Sequence, residues 1–269
     1  TKNIPVVCLA HGNELFSEKF NKKKRIISTL NKASVIIANS NYTAGLLKEI
    51  IKNTSIIKVV YPGAKDLRLV ESDPNYLFIE GKPILLTLAR LEKRKGHAKI
   101  LQAVKKLKHQ YPTIKYLIAG EGKQRTKLEN LVKEYNLQDN VQFMGNVNDY
   151  QKKSIFERTS LMIMPTLDES KNRSIEGFGI AYMEAAFFGI PSVATNVGGT
   201  PEAVLDKKTG IIIQNTDQLF DTLSELLSNE SMLVQLGNNA RNRAENFFRW
   251  EKVTKNYLAN TYYLSCLHC

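Results

Sequence analysis

Apolar, β-branched runs alternate with amphipathic segments along nearly the whole chain. The runs predict strands over residues 5–10, 34–39, 55–61, 83–89, 115–119, 141–144, 161–165, 191–194 and 210–213. Helical periodicity covers 96–111, 123–135, 182–188, 216–227 and 247–264. The strand segments are continuously apolar rather than alternating, the pattern of strands buried on both faces. Strands alternating with helices argue for an α/β chain with parallel sheets between helical layers. The stretch 62–82 is rich in Asp, Pro, Asn and Gly and carries little periodicity. It marks a boundary, with 67–82 as the linker. A complete α/β unit follows over 83–247; only three strands and two helices precede it, within 1–66. The aromatic segment 248–269 reads as a terminal helix.

Charge narrows the partners. The 269 residues carry 38 Lys and Arg against 26 Asp and Glu, a net +12. Residues 1–66 hold 11 basic and 4 acidic residues, over half of the excess. Nucleotides, phospholipid headgroups or nucleic acid are favoured as polyanionic partners. Nucleic acid ranks last, because the basic residues lack aromatic interleaving and no helix-turn-helix or zinc module is present. No apolar run is long enough for a membrane span. Three cysteines and no signal-peptide pattern fit a reducing, cytoplasmic setting.

The segment Glu176-Gly-Phe-Gly-Ile-Ala-Tyr-Met-Glu184 places two glycines before an apolar helix and a carboxylate at each end. Gly177 and Gly179 allow backbone N–H groups to approach a ligand at a helix N-terminus, which suits phosphate. Spacing alone equally describes an ordinary helix start with two solvated acids. Arg90 follows a buried strand and Lys95 precedes a helix, so both face the cleft beyond the strand ends. Lys93 and Arg94 read as a solvated basic turn. His11, at the end of the first strand, is by itself a turn residue; His97, His109 and His268 read as surface or helix-face positions. The run from Lys19 to Arg25, flanked by Phe16, Phe20, Ile26, Ile27 and Leu30, is either a solvated helix face over a sheet or a contact with anionic lipid. No Asp-x-Asp pair, zinc-type His motif or GxxxxGK[ST] loop appears, so no metal is expected. Cys266 and Cys269 read as a frayed tail, and Cys8 as a buried strand residue.

In this order, Leu88-Ala-Arg90 with Lys95-Gly96, Ile118-Ala-Gly120-Glu-Gly122, Val141–Val147, Glu176–Glu184, Gly189-Ile-Pro191 and Gly198-Gly199-Thr200-Pro201-Glu202 resemble the retaining glycosyltransferases of the GT-B fold, family 4. His11-Gly12, Ala38-Asn-Ser40 and Tyr61-Pro62-Gly63 resemble the end of that family's N-terminal, acceptor-side domain. The resemblance implies two Rossmann-like domains, with 83–247 binding a nucleoside diphosphate sugar and the C-terminal helix crossing back to the first. Arg90 and Lys95 would hold the diphosphate and stabilise the leaving group. Glu184 would bind the ribose, Glu176 the transferred sugar, and the backbone of Gly177, Phe178, Gly179 and Ile180 the sugar and phosphate. Asn146 and Val147 would lie near the base, and His11 would reach the donor sugar from across the cleft. The family needs no metal or cofactor, and its donor is the nucleotide sugar itself.

That resemblance makes the chain a hexosyltransferase that retains anomeric configuration. Its acceptor would be a lipid or a glycan, and its setting surface polysaccharide or glycolipid assembly, with peripheral contact at the inner face of the membrane. The family's first domain runs to roughly 150–200 residues. Residues 1–66 therefore read as its last part, in a fragment or truncated product. The alternative function is a donor-nucleotide-binding module without transfer activity.

Overall fold

The computed structural model describes residues 4–16, 20–71, 76, 80–169 and 174–266. Among them, nine strands form two wholly parallel sheets. The first joins β1 (Val7–Ala10), β2 (Val35–Ala38) and β3 (Ile57–Val59) in sequence order. The second contains β4 (Ile84–Leu88), β5 (Lys115–Ala119), β6 (Val141–Gly145), β7 (Leu161–Met164), β8 (Ser192–Thr195) and β9 (Gly210–Ile213). Its order is β6-β5-β4-β7-β8-β9, so the chain winds outward from β4 in one direction and then from β7 in the other. That is the doubly wound arrangement, and its order reverses between β4 and β7.

Ten helices among the described residues cover the sheets. In chain order they are α1 (Phe20–Leu30), α2 (Asn41–Lys48), α3 (His97–Leu107), α4 (Arg125–Glu134), α5 (Asp149–Phe156), α6 (Ile180–Phe187), α7 (Thr200–Ala203), α8 (Leu219–Ser228), α9 (Glu230–Phe247) and α10 (Trp250–Cys266). One face of the large sheet packs Leu85, Tyr116 and Ile163 against α3, α4 and α8. The other packs Leu86, Leu117 and Met162 against Tyr182, Phe187 and Ala240 of α6 and α9. Both faces are covered, which is why the strand segments are apolar at most positions rather than at alternate ones. Among the described residues no helix is long and apolar enough to cross a membrane.

The small sheet buries Ile36, Ala38 and Leu47 on one side. On the other, Val35, Ile37 and Val60 meet Val253 and Tyr257 of α10. Lys22, Lys23, Lys24 and Arg25 of α1 are exposed, while Leu30 is buried on the sheet and Ile26 packs beside it. The apolar side of the helix therefore covers the sheet and its basic side is exposed; Lys19 lies outside the described residues.

The stretch read as a linker starts differently from its composition. Leu67 is fully buried in the core of the large unit. Asp66 accepts hydrogen bonds from Arg68 at 2.7 and 2.8 Å and from Arg249 at 3.1 Å. Ala64 N–H donates to the Phe248 carbonyl at 2.8 Å, and Ala64 bridges Arg249 as a parallel pair. The outgoing and returning crossings between the two units thus run side by side. Cys8 is half-buried, with its thiol pKa raised by burial. His268 and Cys269 lie outside the described residues.

Candidate functional site

In a doubly wound sheet the loops on either side of the reversal leave toward opposite faces, so a crevice opens beyond the strand ends. The loop after β4 tightens into a 3-10 turn, Lys93–Lys95, which leads into α3. The loop after β7 carries Glu176 and leads into α6. Leu167 N–H donates to the Arg94 carbonyl at 2.7 Å and ties the two loops together.

Three charged side chains meet there. Glu176 Oε2 accepts a hydrogen bond from Arg94 Nη1 at 2.8 Å and pairs closely with Lys95 Nζ. Side-chain exposure is 5% for Arg94, 9% for Lys95 and 12% for Glu176, so the cluster is shielded from water. Burial pushes the Glu176 carboxyl up, but Lys95 and Arg94 outweigh it and hold the group below the usual carboxylate range. Burial pushes the Lys95 ammonium down; Glu176 opposes that shift and Arg94 adds to it. Among the described residues, Lys95 Nζ has one further hydrogen-bond contact, Met164 Sδ at 3.4 Å. Arg90, Arg94 and Lys95 against Glu92 and Glu176 leave a positive excess of one beside the start of α6, whose first turn has no side-chain cap. Both features favour an anion.

The other sequence-predicted residues surround this cluster unevenly. Arg90 is 70% exposed and its partner is Glu92, at 2.9 Å. Glu92 also accepts from Arg94 Nε at 3.1 Å, so Arg90 joins the cluster only through Glu92. Glu184, one turn inside α6, is 13% exposed and takes Lys152 of α5 at 3.0 Å. Asn146 is exposed and Val147 half-buried at the end of β6, just before Asn148 caps α5. Ile180 opens α6 and is 46% exposed. Phe178 points away: its ring is 1% exposed and packs at 5.2 Å from Tyr61 and 5.7 Å from Phe248. Only its backbone remains on the cleft side.

His11 comes from the small sheet and is exposed. Its backbone N–H donates to Glu14 Oε1 at 2.7 Å. Its carbonyl lies so close to Gly177 that a Cβ there would sit 2.1 Å from the oxygen. A Cβ on Gly199 would come within 2.0 Å of the Gly177 carbonyl, and Gly199 N–H donates to the Glu176 carbonyl at 2.8 Å. Three backbone segments therefore stack with no room for side chains between them. This layering brings His11 to the Glu176 loop.

The sequence pattern of a known family covers most of this architecture. Residues 71–243 match "Glycosyl transferases group 1". The chain belongs to this family. It is 24% identical over 255 residues to the GDP-mannose-dependent alpha-(1-6)-phosphatidylinositol monomannoside mannosyltransferase of Mycolicibacterium smegmatis, covering 91% of this chain and 66% of that protein. It is 24% identical over 265 residues to the N-acetyl-alpha-D-glucosaminyl L-malate synthase of Bacillus anthracis, covering 95% and 67%. Among solved structures, Anabaena HepE in complex with UDP and glucose superposes with a TM-score of 0.80 at 19% identity, over 95% of this chain and 71% of that one. The fold is that of the GT-B glycosyltransferases. The chain spans between 45% and 67% of the length of the curated relatives just named and their mycobacterial counterparts.

Three residues of this family member escape a reading of the sequence. Arg94 is not a solvated turn residue, because the 3-10 turn points it inward to Glu92 and Glu176. His97 is not a surface residue: it is 2% exposed, with Nδ1 3.0 Å from the Tyr116 hydroxyl. Burial pushes its imidazole down to about 4. Glu202, in the loop-helix after β8, reaches across to the small unit. Its carboxylate accepts from Asn41 N–H at 2.7 Å, Tyr42 N–H at 2.8 Å and Asn41 Nδ2 at 2.7 Å. Ser40 Oγ takes the third free amide of α2, from Thr43, at 3.0 Å. Glu202 and Ser40 together satisfy the orphan donors at the start of α2. The signal for Arg94 was its place directly before Lys95; for Glu202 nothing in the sequence names a partner 160 residues away.

A groove of about 630 Å³ lies elsewhere, lined by Lys99, Lys106, His109, Tyr135 and Phe220, and it contains none of the candidate residues.

Proposed function

We propose that the chain transfers a hexosyl unit from a nucleoside diphosphate sugar to a lipid or glycan acceptor, with retention and without a divalent metal, in surface polysaccharide or glycolipid assembly. The observation that carries this reading is the buried Arg94–Glu176–Lys95 cluster beside the uncapped start of α6, at the reversal of the sheet. A diphosphate laid there meets Lys95 and the α6 amides. Arg90, exposed on the adjacent strand end, turns from Glu92 to the same anion. These cations stabilise the charge that grows on the leaving diphosphate as the glycosidic bond breaks. Glu176 stands next to Lys95, where hydroxyls of the transferred sugar would lie, and Glu184 is placed one helical turn further for the ribose. Asn146 and Val147 border the same opening for the base. His11 faces the sugar from the other unit, and the acceptor enters between the two.

Departure and attack on the same sugar face, through a short-lived oxocarbenium-like pair, give retention. The named relatives support the donor class: one is GDP-mannose-dependent, and HepE was crystallised with UDP and glucose. The phosphatidylinositol mannosyltransferase supports a lipid acceptor, and the exposed basic face of α1 supports contact with an anionic membrane surface.

Calorimetric titration with UDP, GDP and ADP, first in chelator and then with magnesium, tests the reading. One nucleotide binding equally in both is the expected result. Adding the matching sugar nucleotide should then release nucleotide, slowly to water and faster with acceptor. A folded chain that binds none of the three overturns the donor site; binding without any release overturns transfer.

A further inference from the structure

The donor reading leaves a question of charge open at the cluster, and the role assigned to Arg94 rests on that reading. Before a donor arrives, Glu176 neutralises one of two buried cations. A nucleoside diphosphate brings further negative charge to Lys95. One ammonium cannot serve both anions in a water-poor pocket without leaving a buried carboxylate short of a partner.

The two cations are tethered unequally. Arg94 is pinned at both ends of its guanidinium, Nε on Glu92 at 3.1 Å and Nη1 on Glu176 at 2.8 Å, and its carbonyl is held by Leu167 N–H. Among the described residues, Lys95 has Glu176 and, beyond it, only the Met164 thioether. A planar fork locked at two points stays; a point charge on a flexible stem can turn to a new anion. We propose that Arg94 is the resident partner of Glu176 and keeps that carboxylate in place when the diphosphate of an incoming donor draws Lys95 away. Arg94 is then a positioning residue, acting on the donor sugar through Glu176. Among the described residues the other titratable groups beside the cluster are His97, which faces Lys95, and Tyr182 of α6, whose hydroxyl donates to the Met164 carbonyl at 2.7 Å. Neither offers Glu176 a replacement cation, and Glu92 lies on the far side of Arg94.

If Arg94 is removed, donor binding must strip Glu176 of its last cation, and the carboxylate takes up a proton instead. The test is calorimetry with the nucleoside diphosphate that the parent binds, in buffers of different ionisation enthalpy, which reads affinity and protons taken up together. Arg94→Gln should bind at least about tenfold more weakly, the scale of a broken buried pair. It should also take up close to one proton per nucleotide, where the parent takes up almost none. Arg94→Gln with Glu176→Gln should bind within about threefold of Glu176→Gln alone, because without the carboxylate Arg94 has nothing to hold. Both of those proteins lack the Glu176 carboxylate and carry the same Lys95 ammonium, so this comparison survives if Arg94→Gln does not fold. Parent-like affinity with no proton uptake in Arg94→Gln overturns the proposal. So does a tenfold loss in the double variant relative to Glu176→Gln, which would make Arg94 a direct phosphate ligand. A parent that binds no nucleotide fails at the donor reading itself, before any variant is compared.

Discussion

Replacing Glu202 by alanine removes the only side chain that reaches from the large unit to the first two amides of α2 among the hydrogen bonds described. The carboxylate accepts three hydrogen bonds at 2.7 to 2.8 Å, two from backbone and one from the Asn41 amide. A bond to a charged acceptor nets about 1.5–3 kcal/mol when buried. This helix start is partly open, and water would take over some of the donors. Loss of a cap costs about 0.5–2 kcal/mol. Together these place Glu202→Ala near ~2 kcal/mol, and Glu202→Gln, which keeps an acceptor oxygen without the charge, near ~1 kcal/mol.

Hydrogen exchange reads the effect at its source. The Asn41 and Tyr42 amides should exchange about thirtyfold faster in Glu202→Ala, the equivalent of ~2 kcal/mol. Thr43, held by Ser40 rather than Glu202, should change less. The unfolding transition of the small unit should fall by about 8–16 °C. Parent rates at Asn41 and Tyr42 would refute the argument, because nothing else described meets those amides.

Other outcomes follow from the same contacts. Lys95→Ala should lower transfer by about 2–4 kcal/mol in kcat/KM, as for a lost oxyanion donor, measured by nucleotide release. Glu184→Ala should weaken nucleotide binding in calorimetry, while Glu176→Ala should mainly lower turnover. Gly177→Ala should force the His11 loop and the Glu176 loop apart by about an ångström and lower transfer more than nucleotide affinity, seen by comparing the two assays. Stability should fall on acidification in two windows, measured by urea midpoints. His97, depressed from 6.5 to about 4, binds fewer protons folded than unfolded between those values. Stability is therefore lost as pH drops from about 6.5 to about 4, by up to roughly 3 kcal/mol, and His97→Leu should flatten that window. Glu176, held below its ordinary 4.5, adds a second loss below that pH, which Glu176→Gln should remove.

The strands were legible because parallel strands covered on both faces leave a continuous apolar signature, and each of the nine segments read this way overlaps a strand. Charged residues leave no such trace. Lys93, Arg94 and Lys95 look alike in sequence, yet a turn of three residues sends the first to solvent and the other two inward. Phe178 sits between two site glycines and faces the core, because its partners Tyr61 and Phe248 come from the distant crossings. The start of the linker has the same cause: Asp66 looks solvated until Arg249, 183 residues later, arrives beside it. Local pattern reports which faces are covered, and partners that far apart in the chain leave no local pattern.

The side-by-side crossings at Ala64 and Arg249 bear on how the two units can move. One connection would act as a ball joint and allow swivel in any direction. Two strands lashed together, with Asp66 riveted to both Arg68 and Arg249, act as a door hinge with a single axis. Opening about that axis swings His11 toward or away from Glu176 along one arc, and sideways slippage would have to tear the lashing first. Any opening about that axis would keep the two halves aligned across the cleft, through residues that lie outside the candidate site.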